Sequence, residues 1–231
     1  MKKSIVCIGG SRGIGFETVK QLIEKKYRVY LFSRSSIDLH SELLKQHPYD
    51  VSENFPVEQL PETIDGYIYF PGSINLRPFE RFSLEEFQTD ININYLNNIK
   101  ILQQIMPWLK KSNQDPSVVF FSTVAVQTGM SFHASISGAK GALEGLTRAL
   151  AAEYAPKIRF NCIAPSLTDT PLAQKITSNE KMREASATKH PLKRIGSAED
   201  IANLAVFLLS DQSSWMTGQI LACDGGMSSL K

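Results

Sequence analysis

Residues 9–15 read Gly9-Gly10-Ser11-Arg12-Gly13-Ile14-Gly15 and join an apolar run, Ser4–Gly9, to an amphipathic stretch, Phe16–Lys25. Glycines at 9, 13 and 15 permit a tight turn and let backbone approach a bound anion closely. A helix opening behind them offers N–H groups that have no intrahelical partner. Strand, glycines and helix in this order are what a dinucleotide pyrophosphate site requires, with Ser11, Arg12 and Ile14 completing the loop. The next apolar run, Arg28–Ser33, ends in Ser33-Arg34, where a carboxylate would accept from both hydroxyls of an unphosphorylated ribose. Two guanidinium groups, Arg12 and Arg34, suit a 2′-phosphate instead, because arginine grips phosphate bidentately. These residues point to NADP(H) in preference to NAD(H). The alternative is an Arg34 that is merely solvated as it leaves the sheet.

Other chemistry-bearing residues are scattered. His40, His47, His133 and His190 lie far apart, without carboxylates at ligand spacing, so no metal site is expected. Cys7, Cys162 and Cys223 each sit in an apolar run; an odd number without ligand spacing reads as reduced thiols of a cytoplasmic protein. A net charge of +2, with both signs dispersed, gives no basic stripe for nucleic acid. Lys25–Lys26 and Lys110–Lys111 fall where helices should end, and there cations suit the dipole. Apolar residues nowhere run long enough to span a bilayer. Met1-Lys2-Lys3 leads straight into a strand with no apolar stretch of signal-peptide length. A cytoplasmic, soluble protein without a membrane or nucleic-acid partner is expected.

The positioning elements follow from periodicity. Strand-like runs at Ser4–Gly9, Arg28–Ser33, Gly66–Phe70, Ser117–Ser122, Ile158–Ile163 and Gln219–Ala222 alternate with helical patterns, and a very short strand is expected near Tyr49–Val51. Val19, Leu22 and Ile23 form one apolar helix face; Ile201, Leu204, Ala205, Leu208 and Leu209 form a longer one. Leu84–Leu109 is helical in pattern, and Pro107 should kink or shorten its last turn. Alternation of this kind predicts an α/β fold of the Rossmann type, a central parallel sheet of about seven strands with helices on both faces. With 231 residues, 42% of them hydrophobic, one domain over 1–231 is expected. The stretch 171–194 is polar and weakly periodic and follows a strand end; a substrate lid and an ordinary surface helix pair both fit it.

At this point the chain resembles the short-chain dehydrogenase/reductase family over essentially its whole length. Gly9–Gly15 matches the family's glycine loop, with Ile8 where threonine is common. Asp50-Val51 resembles the pair that holds the adenine, and Asn94 the asparagine that anchors a proton-relay water. Pro165-Ser166 with Thr170 resembles the Pro-Gly…Thr segment that holds the nicotinamide amide. Arg194-Ile195-Gly196…Glu199-Asp200-Ile201 and Asp224-Gly225-Gly226 are typical of the family. Two departures stand out. The family's Asn-Asn-Ala-Gly is Tyr69-Phe70-Pro71-Gly72 here, keeping only Gly72, which should remove polar bracing of the sheet. Residues 36–65 are few, so one helix should shrink to a turn or two.

The resemblance implies a Tyr-x-x-x-Lys helix and a Ser or Thr from the preceding strand. The tyrosine exchanges the proton, the lysine holds the ribose and lowers the phenol pKa, and the hydroxyl polarises the carbonyl. Lys140 matches the lysine, and the serine offset gives Thr123. The tyrosine position is Ile136, which transfers no proton. His133, one turn earlier, carries an imidazole, which can give or take a proton; Ser135, Ser137 and a water held by Asn94, Lys140 and Thr123 are further candidates, whereas Tyr95 should face away. The chemistry expected is hydride transfer between nicotinamide and a small carbonyl or alcohol with a non-standard proton donor. The alternatives are a catalytically silent NADP(H)-binding sensor or partner subunit and, more remotely, non-redox chemistry. Val126, Met130, Phe132 and Leu172 suggest a non-ionic ligand. The resemblance also implies a homodimer or homotetramer, through helices Asn94–Leu109 and Ser137–Tyr154, with Asp224–Lys231 near a second interface; Ala149, Ala151 and Ala152 would allow close helix approach.

Overall fold

The computed structural model describes residues 2–230; Met1 and Lys231, the ends of the expected domain and of the second interface, lie outside them. Strands β1 (Ser4–Ile8), β2 (Arg28–Ser33), β3 (Leu44–Pro48), β4 (Gly66–Tyr69), β5 (Ser117–Phe121) and β6 (Arg159–Pro165) are parallel members of one sheet. The short strands β7 (Thr168–Asp169) and β8 (Gly196–Ser197) pair separately, and β9 (Ile220–Cys223) completes the main sheet in the order β3-β2-β1-β4-β5-β6-β9. Strand order reverses between β1 and β4, which opens a crevice at their carboxyl ends. The Rossmann-type α/β architecture is as the alternating pattern predicts.

The helices are α1 (Gly13–Glu24), α2 (Leu84–Ile91), α3 (Asn97–Lys111), α4 (Ala125–Thr128), α5 (Ala134–Tyr154), α6 (Gln174–Thr177), α7 (Glu180–Thr188) and α8 (Ala198–Leu209). Both sheet faces are covered, so side chains of the inner strands are buried on both sides. Ile5 and Cys7 of β1 join Val19 and Leu22 of α1 and Ile201, Ala205 and Leu208 of α8. Val6 and Ile8 face the other way, with Ile101 and Ile105 of α3 and Leu143 of α5. Fully burying one such aliphatic side chain contributes roughly 1.5–3 kcal/mol, so these two layers hold the strand ends in register. Ser83 and Glu86 form a reciprocal cap that starts α2, and Ser197 and Asp200 do the same for α8. Among the described residues, no helix is long and apolar enough to cross a membrane.

Several local expectations are corrected. The short third strand is Leu44–Pro48, and Tyr49–Val51 follows it. As an edge strand it is half-exposed and polar, so it lacks an apolar signature. Between β3 and β4 the expectation of a helix shrunk to a turn or two holds: the helical content is a single turn, Val57–Gln59. Pro107 neither shortens nor ends α3, which runs on to Lys111. A π-helical turn at Asn92–Leu96 interrupts the pattern that reads as continuous from Leu84. Residues 171–188 form a 3-10 turn, Pro171–Ala173, followed by α6 and α7.

Candidate functional site

The loop between β1 and α1 is closed by backbone contact. A methyl group added to Gly15 would stand 2.7 Å from the Gly10 Cα, and one on Gly10 would stand 2.9 Å from side-chain carbons of Leu31 and Val19. Gly10 is therefore as constrained as the three glycines singled out in the sequence. Gly13 has φ +53° and lies against Thr170, whose Cβ would be 3.3 Å from an added methyl. Thr170 thus meets the glycine loop across the crevice. Arg12 is extended at the α1 N-cap, no side chain caps that end, and its first turn holds no acid. The N–H groups beside Ser11 and Ile14 are left for an anion, as a pyrophosphate cradle requires.

At the β2 end, Ser33 is buried and its Oγ donates to the Ser35 carbonyl at 2.7 Å. Arg34 is 81% exposed, and its Nε lies 4.0 Å from Oδ2 of Asp50. Asp50 also accepts from the Ser52 N–H and hydroxyl at 2.9 and 2.7 Å. These hydrogen bonds, with a smaller pull from Arg34, hold its carboxyl below the usual range. The structure therefore brings Arg34, Asp50 and the adjacent half-buried Val51 to one end of the crevice, reached from the glycine loop along the carboxyl ends of β1 and β2.

The other end gathers around Gly72. A methyl group there would stand 3.1 Å from Asn94 Oδ1 and 3.6 Å from Lys140 Nζ, so both side chains border the same small space. Asn94 is fully buried on the π-helical turn, a distortion common at functional sites. Its Nδ2 donates to the Asp90 carbonyl and the Ser73 hydroxyl, both at 2.8 Å. Lys140 projects from α5; desolvation by burial brings its ammonium down to about 8, against a smaller opposing pull from the Cys162 thiol. Burial pushes that thiol up to about 12, and the Cys7 thiol is raised still further. Thr123, just past β5, is half-buried and its Oγ1 accepts from the Ala125 N–H at 3.3 Å. Ile136 is 5% exposed, four residues before Lys140 on α5. His133 precedes α5, and its Nδ1 pairs with the Ser131 carbonyl at 2.8 Å. Ser135 is turned to Asp90. Tyr95 is half-buried against the core.

The expected loss of bracing at Tyr69 is corrected. Tyr69 Oη donates to the Ile93 carbonyl at 2.7 Å, and Tyr67 Oη donates to Asn98 Oδ1 at 2.8 Å. Phenols thus tie β4 to the helix that carries Asn94. Two further residues were not singled out for the site in the sequence. Asp90 is buried among Ser73, Asn75 and Ser135. His190 is buried with its Nε2 2.7 Å from the Ser166 hydroxyl, fastening the segment after α7 to the end of β6 beside Pro165. Both partnerships join residues distant in sequence. Arg194 grips Asp200 through two nitrogens at 2.5 and 2.9 Å, which accounts for that conspicuous run as a cap on α8.

A glycine-floored crevice at the reversal of a parallel sheet, with lysine, asparagine and threonine at one end, is the arrangement of nucleotide-dependent oxidoreductases. A family model described as enoyl-(acyl carrier protein) reductase matches residues 8–228, and the chain belongs to the short-chain dehydrogenase/reductase family. A tropinone reductase homolog from Arabidopsis thaliana is 34% identical over 95% of this chain and 88% of its own length. A 3-oxoacyl-[acyl-carrier-protein] reductase from Chlamydia trachomatis is 30% identical over 98% of each chain. The ligand-free aldohexose dehydrogenase of Thermoplasma acidophilum has the same fold, with a TM-score of 0.91 at 25% identity over 98% of this chain and 94% of that one.

Proposed function

We propose that this chain is an NADP(H)-dependent oxidoreductase acting on a small carbonyl or alcohol, with a proton donor other than tyrosine. The observation that carries the reading is the meeting of Lys140 Nζ and Asn94 Oδ1 over Gly72, at the end of the crevice opposite Arg34. The free N–H groups of α1, the tight Gly10–Gly15 contact and Thr170 against Gly13 fit a dinucleotide. Ser11, Arg12, Gly13 and Ile14 would hold the pyrophosphate, Asp50 and Val51 the adenine, Ser33 and Arg34 the phosphorylated ribose, and Pro165 and Thr170 the nicotinamide amide. The bound nucleotide supplies or accepts hydride. Lys140 holds the ribose and carries positive charge towards the substrate oxygen, Thr123 polarises the carbonyl, and Ile136 closes the space where a phenol would stand.

The segment 171–194 serves as the lid, with Leu172 and Met182 exposed on it. Copies associate as a dimer or tetramer through helices Asn94–Leu109 and Ser137–Tyr154, where Leu96 is exposed. Ala149 and Ala152 are open to such contact, whereas Ala151 is buried within the chain. Free thiols at all three cysteines support a reducing, cytoplasmic setting.

The test is NADPH consumption with three carbonyl probes suggested by the relatives: tropinone, a 3-oxoacyl thioester and an aldohexose lactone. Turnover of one of them by folded, cofactor-saturated protein is expected. Tight NADPH binding without turnover, together with activity appearing in Ile136→Tyr, would establish a silent nucleotide-binding protein instead.

A further inference from the structure

Asp90 is an ionisable group for which the nucleotide reading has no use. It is fully buried on the last turn of α2. Its Oδ1 accepts from the Ser73 hydroxyl at 2.5 Å and from Asn75 Nδ2 at 2.9 Å, and its Oδ2 accepts from the Ser135 hydroxyl at 2.6 Å. All three donors are neutral. Burying a carboxylate is costly even when it is hydrogen-bonded, and an amide would tie the same loops together without a charge. A carboxyl at this point therefore calls for chemistry.

The contacts lead towards the site. Ser73 Oγ accepts from Asn94 Nδ2 at 2.8 Å, and the Ser73 N–H donates to Asn94 Oδ1 at 3.4 Å. That Oδ1 borders the space over Gly72 into which Lys140 Nζ projects. Ser135, on the other carboxyl oxygen, immediately precedes Ile136 on α5. A polar chain thus runs from Lys140 past Asn94 to the Ser73 hydroxyl and on to a carboxyl sealed from solvent.

We propose that Ser73 and Asp90 form the proton relay behind Lys140, resting on the oxidoreductase reading above. In alcohol oxidation the substrate carbon gives its hydride to the nicotinamide and the substrate oxygen loses its proton to the lysine amine. Lysine returns to the amine by passing a proton, across one solvent molecule, to Ser73 Oγ as the Ser73 hydroxyl proton moves to the Asp90 carboxylate. In carbonyl reduction the same proton runs back from the Asp90 carboxyl to the new alkoxide. Asp90 stays sealed, so once product has left its proton returns by way of the Ser73 hydroxyl and the solvent molecule beside Lys140 to water in the emptied crevice. The titratable group that bears on Lys140 is the Cys162 thiol of β6; Glu144, one turn on along α5, bears on that thiol and accepts from the Ser122 hydroxyl.

The variants are Asp90→Asn, whose amide matches the carboxylate in shape because the Ser135 hydroxyl can turn to accept, and Ser73→Ala, with Ser73→Thr to restore the hydroxyl. Proton uptake on NADP⁺ binding, measured calorimetrically in buffers of different protonation heat, reads the relay without turnover. Its pH profile is expected to shift in Asp90→Asn and Ser73→Ala, and to return in Ser73→Thr. With a carbonyl that wild type reduces, kcat in both should fall about a hundredfold with KM little changed. The solvent isotope effect should rise, and the isotope effect from deuterated NADPH should shrink towards unity. Wild-type proton uptake and kcat in Asp90→Asn would overturn the relay while leaving the oxidoreductase reading intact. Absence of wild-type turnover would overturn that reading, and an unshifted uptake profile would then remove the relay as well.

Discussion

The Tyr69 hydroxyl donates to the carbonyl of Ile93 at 2.7 Å, joining the end of β4 to the π-helical turn that presents Asn94. Burial pushes the phenol far above its ordinary range, so it stays a neutral donor at any working pH. Tyr69→Phe leaves a carbonyl unsatisfied and should cost about 1–2 kcal/mol, seen as a Tm lowered by several degrees. The same variant should loosen the Asn94 segment, read as faster amide exchange at residues 92–96. An unchanged Tm and exchange rate would contradict this account.

Arg34 approaches Asp50 at 4.0 Å and is otherwise exposed, so it is available to a ribose phosphate. Arg34→Ala should weaken NADPH about tenfold or more while changing NADH little, since a charge-assisted hydrogen bond is worth about 1.5–3 kcal/mol. Equal losses for both nucleotides in fluorescence titrations would show that Arg34 does not select between them.

Gly15 has no room for a methyl group, because the Gly10 Cα lies 2.7 Å from where it would sit. Gly15→Ala should destabilise the fold by about 1–3 kcal/mol. It should also pry the loop from α1 and abolish nucleotide-induced stabilisation. Thermal shifts with and without NADPH separate the two effects.

Lys140 is held down to about 8, chiefly by burial. A lysine with a lower pKa folded than unfolded opposes folding. That penalty is full below about pH 8, shrinks as pH rises through the folded value, and vanishes above the ordinary lysine range. Lys140→Met should therefore raise stability at neutral pH by about 2 kcal/mol, and by less near pH 9.5. Nucleotide affinity should fall in the variant. In wild type it should decline as pH rises through about 8. A variant less stable at neutral pH would refute the sign.

The glycine loop, the doubly covered strands and Lys140 were legible because each is encoded within a few consecutive residues. Ile5–Ile8 are buried whichever face they take, so their apolar run survives any detail of packing. Leu44–Pro48 was not legible as a strand, since an edge position needs no apolar face. The shortening that Pro107 suggests does not occur, since α3 continues past it to Lys111. Asp90 gave no local sign of burial in a polar helix, because its partners lie 15, 17 and 45 residues away. Tyr69 was read as a lost amide, although its hydroxyl reaches 24 residues along the chain to do similar work.

The polar edge strand has a consequence for crowding. Lys45 and Pro48 are exposed on β3, and the Lys45 ammonium sits 5.3 Å from the Tyr30 ring centroid. Proline offers no N–H to an incoming neighbour, and a cation on the rim repels a second copy of itself. Intermolecular growth into fibrous aggregates is discouraged at this margin, even where the molecule is concentrated.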